Sequence, residues 1–495
     1  MDERKNGGSY AHILKYTGLF GGIQVLNILI TLVRNKFVAL ILGPQGMGLI
    51  ALFNSTINLV SNATNLGIPM SSVRSVSEAF ERGDQTTLEH TIKVTRSWSL
   101  LTALAGMLLC MVLSPLLDNI TFTWGDHTLH FVMLSPVVAL MAITGGETAI
   151  LKGTRRLKNL ATISVYNIIF ALIACVPAYY AFGEAAIVPM LLLLALEQMI
   201  IAVLYSYRYY PLKVSFRRSL MGEGIDMVRL GIAFVLAGIL GSGADFVIRS
   251  FLNTVSSLDT VGLFSAGYAM TMTYAGMVFS AMETDFFPRL SAVNDNREAR
   301  NVVINRQIEV SVLLISPLLV ALMVALPVVL PLLYSKAFLP ILSMMQITII
   351  AMYVRAMKLP MAYLTLAKGD SRTYLLLEGI YDVIIVVAVI LAFLRYGLTG
   401  AGAAITIAGL IDFAVIYVVT HHRYGYSLTR QAIGYFLIQF PIGLITLAAV
   451  NLTSGALYWV VGVLLTAASV AVSIGILHKK TSLWNKLTSK FRLHG

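Results

Sequence analysis

The chain has 495 residues, of which 57% are hydrophobic and 12% are charged, and it carries a formal net charge of +12. Because a soluble domain has about 25% charged residues, this composition and the mean hydropathy of +0.80 exclude a soluble globular protein and predict a polytopic membrane protein. Cys110 and Cys175 both lie inside apolar runs, so they predict neither a disulfide framework nor a metal site.

Apolar segments long enough to cross the membrane recur along the whole chain. A membrane-spanning helix needs about 20 apolar residues, and the first segment is too long for the core of a cleavable signal peptide. We therefore expect it to be retained as the first span. The fourteen predicted spans are residues 13–41, 46–68, 97–117, 129–151, 160–182, 186–207, 229–252, 260–286, 308–333, 340–366, 374–394, 400–420, 431–450 and 456–477.

Basic residues are distributed unequally between the alternate loops. The predicted outer loops carry Lys336 and Arg395, whereas most of the other Lys and Arg residues lie in the tails and the inner loops. Since positively charged loops stay in the cytoplasm, both termini are predicted to be cytoplasmic. The positive net charge is thus a topology signal and does not indicate nucleic-acid binding. The basic tail, residues 478–495, either lies on an anionic inner leaflet or is simply solvated.

An internal repeat is detectable at a shift of about 215 residues. Six spans per copy would give both copies the same orientation in the membrane. The predicted fold is all-α, with two parallel six-helix lobes, residues 1–212 and 213–425, around a central cleft, followed by spans 13 and 14 in residues 426–477. The aligned positions include 48-GL-49 with 262-GL-263, 152-KG-153 with 368-KG-369, 182-FG-183 with 396-YG-397, Arg34 with Arg249, and Glu197 with Asp412.

Five cations lie inside the predicted spans, away from the basic loops. A charge that faces lipid near the bilayer centre costs at least about 2.5 kcal/mol, so we expect these side chains to face a hydrated cleft. Lys36 has the alternative of extending to the headgroups, and Arg249 has the alternative of a structural ion pair with Asp245 one turn earlier. The five cations are Arg34, Lys36, Arg249, Arg355 and Lys358.

Two further sets of polar side chains lie within the spans. The first is a stripe of asparagines on one face of span 2, which either joins helices by hydrogen bonds or lines a cavity that binds sugar hydroxyls. The second is a set of acids that either bind a coupling ion, H⁺ or Na⁺, or neutralise the embedded cations. The stripe is Asn54, Asn58, Asn62 and Asn65; the acids are Asp245, Glu197, Asp412, Glu378 and Asp382.

Motifs for catalysis are absent from the sequence. It contains neither a GxxxxGK[ST] nucleotide loop nor an HExxH metal pair, and its outer loops are too short to form a catalytic domain. We therefore predict a transporter, with no cofactor other than a coupling ion, and disfavour a membrane-embedded glycan polymerase or ligase.

Four segments resemble one family of transporters. They are 42-LGPQGMG-48 after an arginine-bearing span, 66-LGIP-69, 150-ILKGTRRLKNLATISVYN-167 and 286-FFPRLS-291. Together they resemble the Wzx-type bacterial polysaccharide flippases of the multidrug/oligosaccharidyl-lipid/polysaccharide exporter (MOP) superfamily, and the last is also similar to lipid II flippases.

This resemblance implies an alternating-access flippase in the bacterial cytoplasmic membrane. It would move an undecaprenyl-diphosphate-linked oligosaccharide, such as an O-antigen or capsule repeat unit, from the inner to the outer leaflet. The implied partners are membrane lipid and a glycan polymerase with its chain-length complex. In lipid II flippases, spans 13 and 14 form a groove for the polyprenyl tail.

The embedded cations acquire a role under this resemblance. Arg34 and Arg249, one from each lobe, would hold the diphosphate, because a guanidinium donates paired hydrogen bonds to phosphate; Lys36, Arg355 and Lys358 would raise the local potential. The alternatives are a lipid II flippase and a multidrug and toxin extrusion antiporter, although the five cations would repel the organic-cation substrates of the latter.

Overall fold

The computed structural model describes residues 3–122, 125–216, 218–274 and 276–480. In these residues the regular structure is helical, so the predicted class, an all-α polytopic membrane protein with about 14 helices, is confirmed. The α-helices are α1 (Glu3–Thr64), α2 (Ile68–Glu81), α3 (Gln85–Thr121), α4 (Thr128–Gly153), α5 (Leu157–Phe182), α6 (Ile187–Tyr207), α7 (Arg218–Val255), α8 (Leu258–Tyr268), α9 (Met277–Ala292), α10 (Arg297–Leu333), α11 (Leu342–Ala367), α12 (Ser371–Tyr424), α13 (Arg430–Leu452) and α14 (Gly455–Lys480).

Three glycines separate consecutive spans that would otherwise form one helix. α1 is broken at Gly43 (φ 65°, ψ −168°) and α12 at Gly397 (φ 58°, ψ −146°). Gly183 (φ 58°, ψ −137°) ends α5 and begins the short 3₁₀ turn before α6. These backbone angles are accessible essentially to glycine alone, and Pro44 is well suited to restart α1 because its ring fixes a helical φ.

These breaks explain how ten membrane-length segments among the described residues correspond to the predicted spans. The segments Leu29–Thr64, Leu157–Tyr207 and Ser371–Tyr424 each contain two predicted spans. Predicted span 8, residues 260–286, is not among the ten because it is divided into α8, a π-helix at Ala269–Tyr274, and α9. Within the described residues, the apolar segments and the divided span thus account for the predicted set.

The second predicted span, residues 46–68, ends earlier than its apolar pattern indicates. The helix stops at Thr64, and the next residues turn, with Leu66 (φ 51°) and Gly67 (φ 71°) in the left-handed region. The Asn65 side-chain oxygen accepts a hydrogen bond from Gly67 N at 2.8 Å, which stabilises the turn. Spans 2 and 8 are therefore both interrupted helices.

The chain divides into two compact units. Unit 1 contains residues 1–263 and 332–337, and unit 2 contains residues 264–331 and 338–495. In unit 1, α1 packs against α5 and α7, and α4 packs against α3 and α6; in unit 2, α11 packs against α12 and α13. The two six-helix lobes inferred from the repeat stay a prediction, and the basic tail beyond residue 480 lies outside the described residues.

The last two helices are fixed within unit 2 by polar and small residues. Gln439 of α13 is fully buried, donates to Ser469 O (3.1 Å) and Ser473 Oγ (2.8 Å), and accepts from Ser469 Oγ (2.7 Å). On α14, Tyr458 OH donates to Val324 O of α10 at 2.9 Å. Interhelical hydrogen bonds of this kind join helices in lipid, where burial of apolar surface gives no driving force.

Candidate functional site

Unit 1 contains a cavity of about 310 Å³ between α1, α4, α5 and α6. Arg34 is the one charged residue among the described residues that line it, and its Nη2 donates to Asn35 Oδ1 at 3.3 Å. The break at Gly43 lets residues from both halves of α1 line the same space. Besides Arg34, the polar lining consists of Asn35, Asn54, Asn58, Tyr179 and Gln198.

The asparagine stripe divides into two pairs. Asn54 and Asn58 line the cavity of unit 1. Asn62 and Asn65 make other contacts: Asn62 Nδ2 donates to Gly238 O of α7 (3.4 Å), and Asn65 Nδ2 donates to Asn62 Oδ1 (3.4 Å). The structure thus brings two of the four candidates together with Arg34, and the other two hold the end of the helix.

Arg249, the repeat counterpart of Arg34, lies elsewhere in unit 1. Its Nη1 is 2.7 Å from Asp245 Oδ1, and the two side chains are 12% and 50% exposed. The same nitrogen donates to Asp245 O at 3.2 Å. Arg249 is not among the described residues that line the cavity of Arg34. Lys36 is partly buried, two residues beyond Arg34 on α1.

Unit 2 contains a second cavity, of about 250 Å³, in which cations and acids meet. Lys358 Nζ of α11 forms an ion pair with Asp412 Oδ2 of α12 and lies 4.7 Å from the Tyr381 ring centroid. Glu378 lines the same cavity, and Asp382 lies one turn further along α12. Two of the predicted substrate-binding cations, Arg355 and Lys358, therefore share one cavity with two of the predicted coupling acids, Glu378 and Asp412.

Arg355 completes the charged lining of this cavity. Its Nη1 donates to Met272 O at 3.1 Å, and its guanidinium carbon lies 5.8 Å from the Phe279 ring centroid. Met272 belongs to the π-helix, a rare element that is frequent at functional sites. Arg355 thus supports the interrupted eighth span.

Glu197 is a predicted acid with one buried oxygen that lacks a hydrogen bond among the described residues. It is 9% exposed on α6. With the Asn167 amide assigned the orientation that satisfies its neighbours, Nδ2 donates to Ile163 O (3.1 Å) and Glu197 Oε1 (3.2 Å). Glu197 Oε2 is buried and has no hydrogen-bond partner among the described residues. It lies outside the set that lines the cavity of unit 1.

A buried ion pair between α3 and α4 was not among the predicted site residues. Arg96 of α3 is 2% exposed, and its Nε and Nη2 donate to the two carboxylate oxygens of Glu147 on α4 at 2.8 and 3.1 Å. Arg96 also donates to Pro211 O and Tyr210 O at 2.8 and 2.9 Å. It therefore fixes the segment after α6. The available signal was Glu147, an acid inside predicted span 4.

A family model described as "Polysaccharide biosynthesis protein" matches residues 37–343, which is more than half of the chain. The chain belongs to the polysaccharide biosynthesis protein family. This confirms the resemblance of the four segments to polysaccharide biosynthesis proteins of the Wzx type. No curated protein sequence matches the chain.

Solved structures of MOP transporters share the fold of this family member. Lipid II flippase MurJ, in an inward closed conformation, matches with a TM-score of 0.73 and 14% identity over 93% of this chain and 99% of its own. An inward-facing multidrug resistance MATE family transporter matches with a TM-score of 0.66 and 17% identity over 87% of this chain and 96% of its own. A MOP superfamily transporter from Pyrococcus furiosus matches with a TM-score of 0.57 and 15% identity over 88% of this chain and 95% of its own. At these identities the likeness concerns the fold alone.

Proposed function

We propose that the protein is a flippase for an undecaprenyl-diphosphate-linked oligosaccharide, which it moves from the inner to the outer leaflet of the bacterial cytoplasmic membrane. Family membership supports a lipid-linked glycan as the substrate class. Such a lipid carries a diphosphate and a hydrophilic glycan, neither of which crosses hydrocarbon unaided. A transporter must therefore offer both groups polar partners in a shielded space.

The cavity of unit 1 is the observation that carries this proposal. Arg34 is its one charged lining residue within the described chain, and the lining contains no acid that would neutralise it. A guanidinium binds phosphate through paired hydrogen bonds. Asn54, Asn58 and Gln198 add amide donors and acceptors that suit sugar hydroxyls. Arg34 is thus the proposed diphosphate ligand, with the amides as the glycan contacts.

The remaining cations are proposed to contribute after their present contacts open. Arg249 is paired with Asp245 and Lys358 with Asp412, so each would need its acid to be protonated or displaced before it could bind phosphate. Arg355, which donates to a backbone carbonyl, and Lys36 belong to neither of these two ion pairs. In this proposal they raise the local potential around the substrate.

An apolar groove in unit 2 offers a place for the polyprenyl tail. It has a volume of about 530 Å³ and lies between α10 and α14. Small side chains such as Ala321, Ala325 and Ala467 line it, which leaves room for a branched hydrocarbon chain.

Alternating access is supported by the equivalence of the two halves. Gly183 and Gly397, which the repeat aligns, have almost the same backbone angles (φ 58° for both, ψ −137° and −146°). We propose that the lobes, residues 1–212 and 213–425, rock about a central cleft, with both termini in the cytoplasm. A glycan polymerase and its chain-length complex would receive the flipped product.

Native mass spectrometry of the purified protein tests the substrate class. We expect a co-purified lipid whose mass fits a polyprenyl diphosphate with sugars attached, and we expect the Arg34→Ala protein to lose it. The matched control is Arg74→Ala, which removes a highly exposed arginine of α2. Efflux of organic cations without any bound lipid would instead favour a multidrug and toxin extrusion antiporter.

A further inference from the structure

Two acids that the internal repeat aligns have different surroundings. Asp412 of α12 is paired with Lys358 Nζ in unit 2. Glu197 of α6 is also buried, with 9% of its surface exposed against 3% for Asp412, but its one hydrogen-bond partner among the described residues is the Asn167 amide. The second oxygen of Glu197 is left without a partner among the described residues. Among the described residues, Asp412 therefore has a counter-cation and Glu197 has none.

Among the side chains that the structure describes, no cation on the helices packed against α6 is paired with Glu197. Those helices are α1, α4 and α5. Arg34 of α1 lines the cavity from which Glu197 is absent, and Glu147 of α4 is bound by Arg96. The other titratable or charged side chains that the structure describes on these helices, and on the 3₁₀ turn before α6, make no hydrogen bond or ion pair with Glu197; they are Lys36, His130, Lys152, Lys158, Tyr166, Cys175, Tyr179, Tyr180 and Glu184.

An ionised carboxylate in these surroundings would be poorly stabilised. Removing a charge from water costs several kcal/mol unless a counter-charge and further hydrogen bonds replace the lost hydration. The Asn167 amide supplies one donor to one oxygen. A buried acid with so few partners is expected to be neutral, and it can ionise only when a change of conformation admits water or a cation.

We propose that Glu197 is the site that binds the proton whose movement drives the conformational cycle. This rests on the proposed flippase function only for the identity of the cargo. In the conformation described here, Glu197 carries the proton; when α5 and α6 move so that water reaches Oε2, the proton leaves to that aqueous side, and a new proton arrives from the other side. Asp412 is instead held in an ion pair with Lys358.

Proton binding at one such carboxyl changes the equilibrium between the two conformations by a defined factor. A group that is neutral in one conformation and ionised in the other shifts the equilibrium between them tenfold per pH unit over the range in which it is titrated. Glu197→Gln mimics the protonated state with nearly the same shape. It should hold the protein in the conformation described here at every pH.

Infrared difference spectroscopy of the purified protein in lipid measures the proton directly, and it needs no glycan. We expect a titrating carboxylic-acid C=O band in the parent that is lost in Glu197→Gln, moved in Glu197→Asp, and retained in Asp412→Asn. A band that is unchanged in Glu197→Gln would overturn the proposal. Loss of the parent band on adding Na⁺ at constant pH would overturn the assignment of the ion as a proton.

Cys175 supplies a second readout, because it lines the cavity of unit 1. In a Cys110→Ala background, its rate of modification by a neutral thiol reagent is compared between parent and Glu197→Gln at each pH, so that ionisation of the thiol cancels in the ratio. A ratio that changes with pH supports the proposal, and a constant ratio overturns it. Failure of glycan flipping with both readouts intact would count against the proposed cargo and leave the proton site standing.

Discussion

Gly48 and Gly262 pack directly against each other where the second half of α1 crosses α8. A Cβ atom on Gly48 would lie 2.0 Å from Leu258 O, and one on Gly262 would lie 1.8 Å from Pro44 O. The same interval of 214 residues separates Gly48 from Gly262 and Pro44 from Leu258. The contact is therefore reciprocal, since each glycine faces a backbone carbonyl oxygen of the other helix. Small residues permit such close backbone approach in membrane helices.

The first prediction concerns this crossing. Alanine at Gly48 or Gly262 should force the two backbones apart, because overpacking of a well-packed contact costs roughly 1–3 kcal/mol. Each variant should have a lower melting temperature in detergent than the parent. The control is Gly434→Ala on α13, where a Cβ meets nothing within 4 Å and the better helix propensity of alanine should leave the melting temperature equal or higher. If the Gly48→Ala protein has the same melting temperature as the parent, the two backbones can separate at this crossing without loss of stability, which would contradict the prediction.

The spans were predictable because an apolar run of about 20 residues has few alternatives to crossing the membrane. The interruptions within spans were not. The turn at Leu66 and Gly67 and the π-helix at Ala269–Tyr274 lie in sequence that is still apolar, so hydropathy continues across them. The helix is interrupted by the local backbone conformation and its polar partners. Hydropathy averaged over a window of residues depends on neither.

The candidate site was predictable as a set of residues, but its pairings were not. Arg34, Asn54 and Asn58 were identified because polar side chains are costly in lipid, and the structure brings them to one cavity. Lys358 and Asp412 are 54 positions apart, and Arg96 and Glu147 are 51 apart. Helix spacing rules reach only three or four residues, so partners on different helices require the tertiary structure.

The second prediction concerns the buried pair of Arg96 and Glu147. Removing one member leaves the other charge without its partner, which costs about 3–5 kcal/mol, so Arg96→Ala should lower the melting temperature strongly. Replacing both residues with apolar ones, Arg96→Met with Glu147→Leu, should recover part of the loss. The control is Arg74→Ala, since Arg74 and Glu78 form an exposed pair of the kind that contributes about 0–1 kcal/mol. If Arg96→Ala and Arg74→Ala lower the melting temperature by equal, small amounts, the pair of Arg96 and Glu147 does not stabilise the protein.

The third prediction separates structural charge from substrate-binding charge at Arg249. If Arg249 serves mainly to neutralise Asp245, from which it lies 2.7 Å away, Arg249→Ala should destabilise the protein and the double change with Asp245→Ala should restore both stability and glycan display. If Arg249 binds diphosphate, the double variant should be stable but inactive. We expect the second result from the proposed function. Expression level, melting temperature and surface-glycan complementation are measured together.

The fourth prediction concerns topology. In a protein that lacks Cys110 and Cys175, single cysteines at Asp126 and Gly455 should react with an impermeant thiol reagent added outside intact cells, and one at Arg156 should not. All three positions are exposed, whereas Asp118 in the same outer segment as Asp126 is 8% exposed and makes a poor reporter. Labelling of Arg156→Cys in sealed cells would contradict the proposed orientation.

Reconstituted flipping tests the central claim most directly. Purified protein in liposomes is given a fluorescent undecaprenyl-diphosphate-linked oligosaccharide, and its movement between leaflets is followed for the parent, Arg34→Ala, Arg34→Lys and the control Arg74→Ala. We expect the parent and Arg74→Ala to flip the lipid at equal rates, Arg34→Ala to be inactive while folded, and Arg34→Lys to recover only part of the rate, because an ammonium cannot reproduce the paired hydrogen bonds of the guanidinium. Flipping by Arg34→Ala at the parental rate would contradict diphosphate binding in the cavity of unit 1.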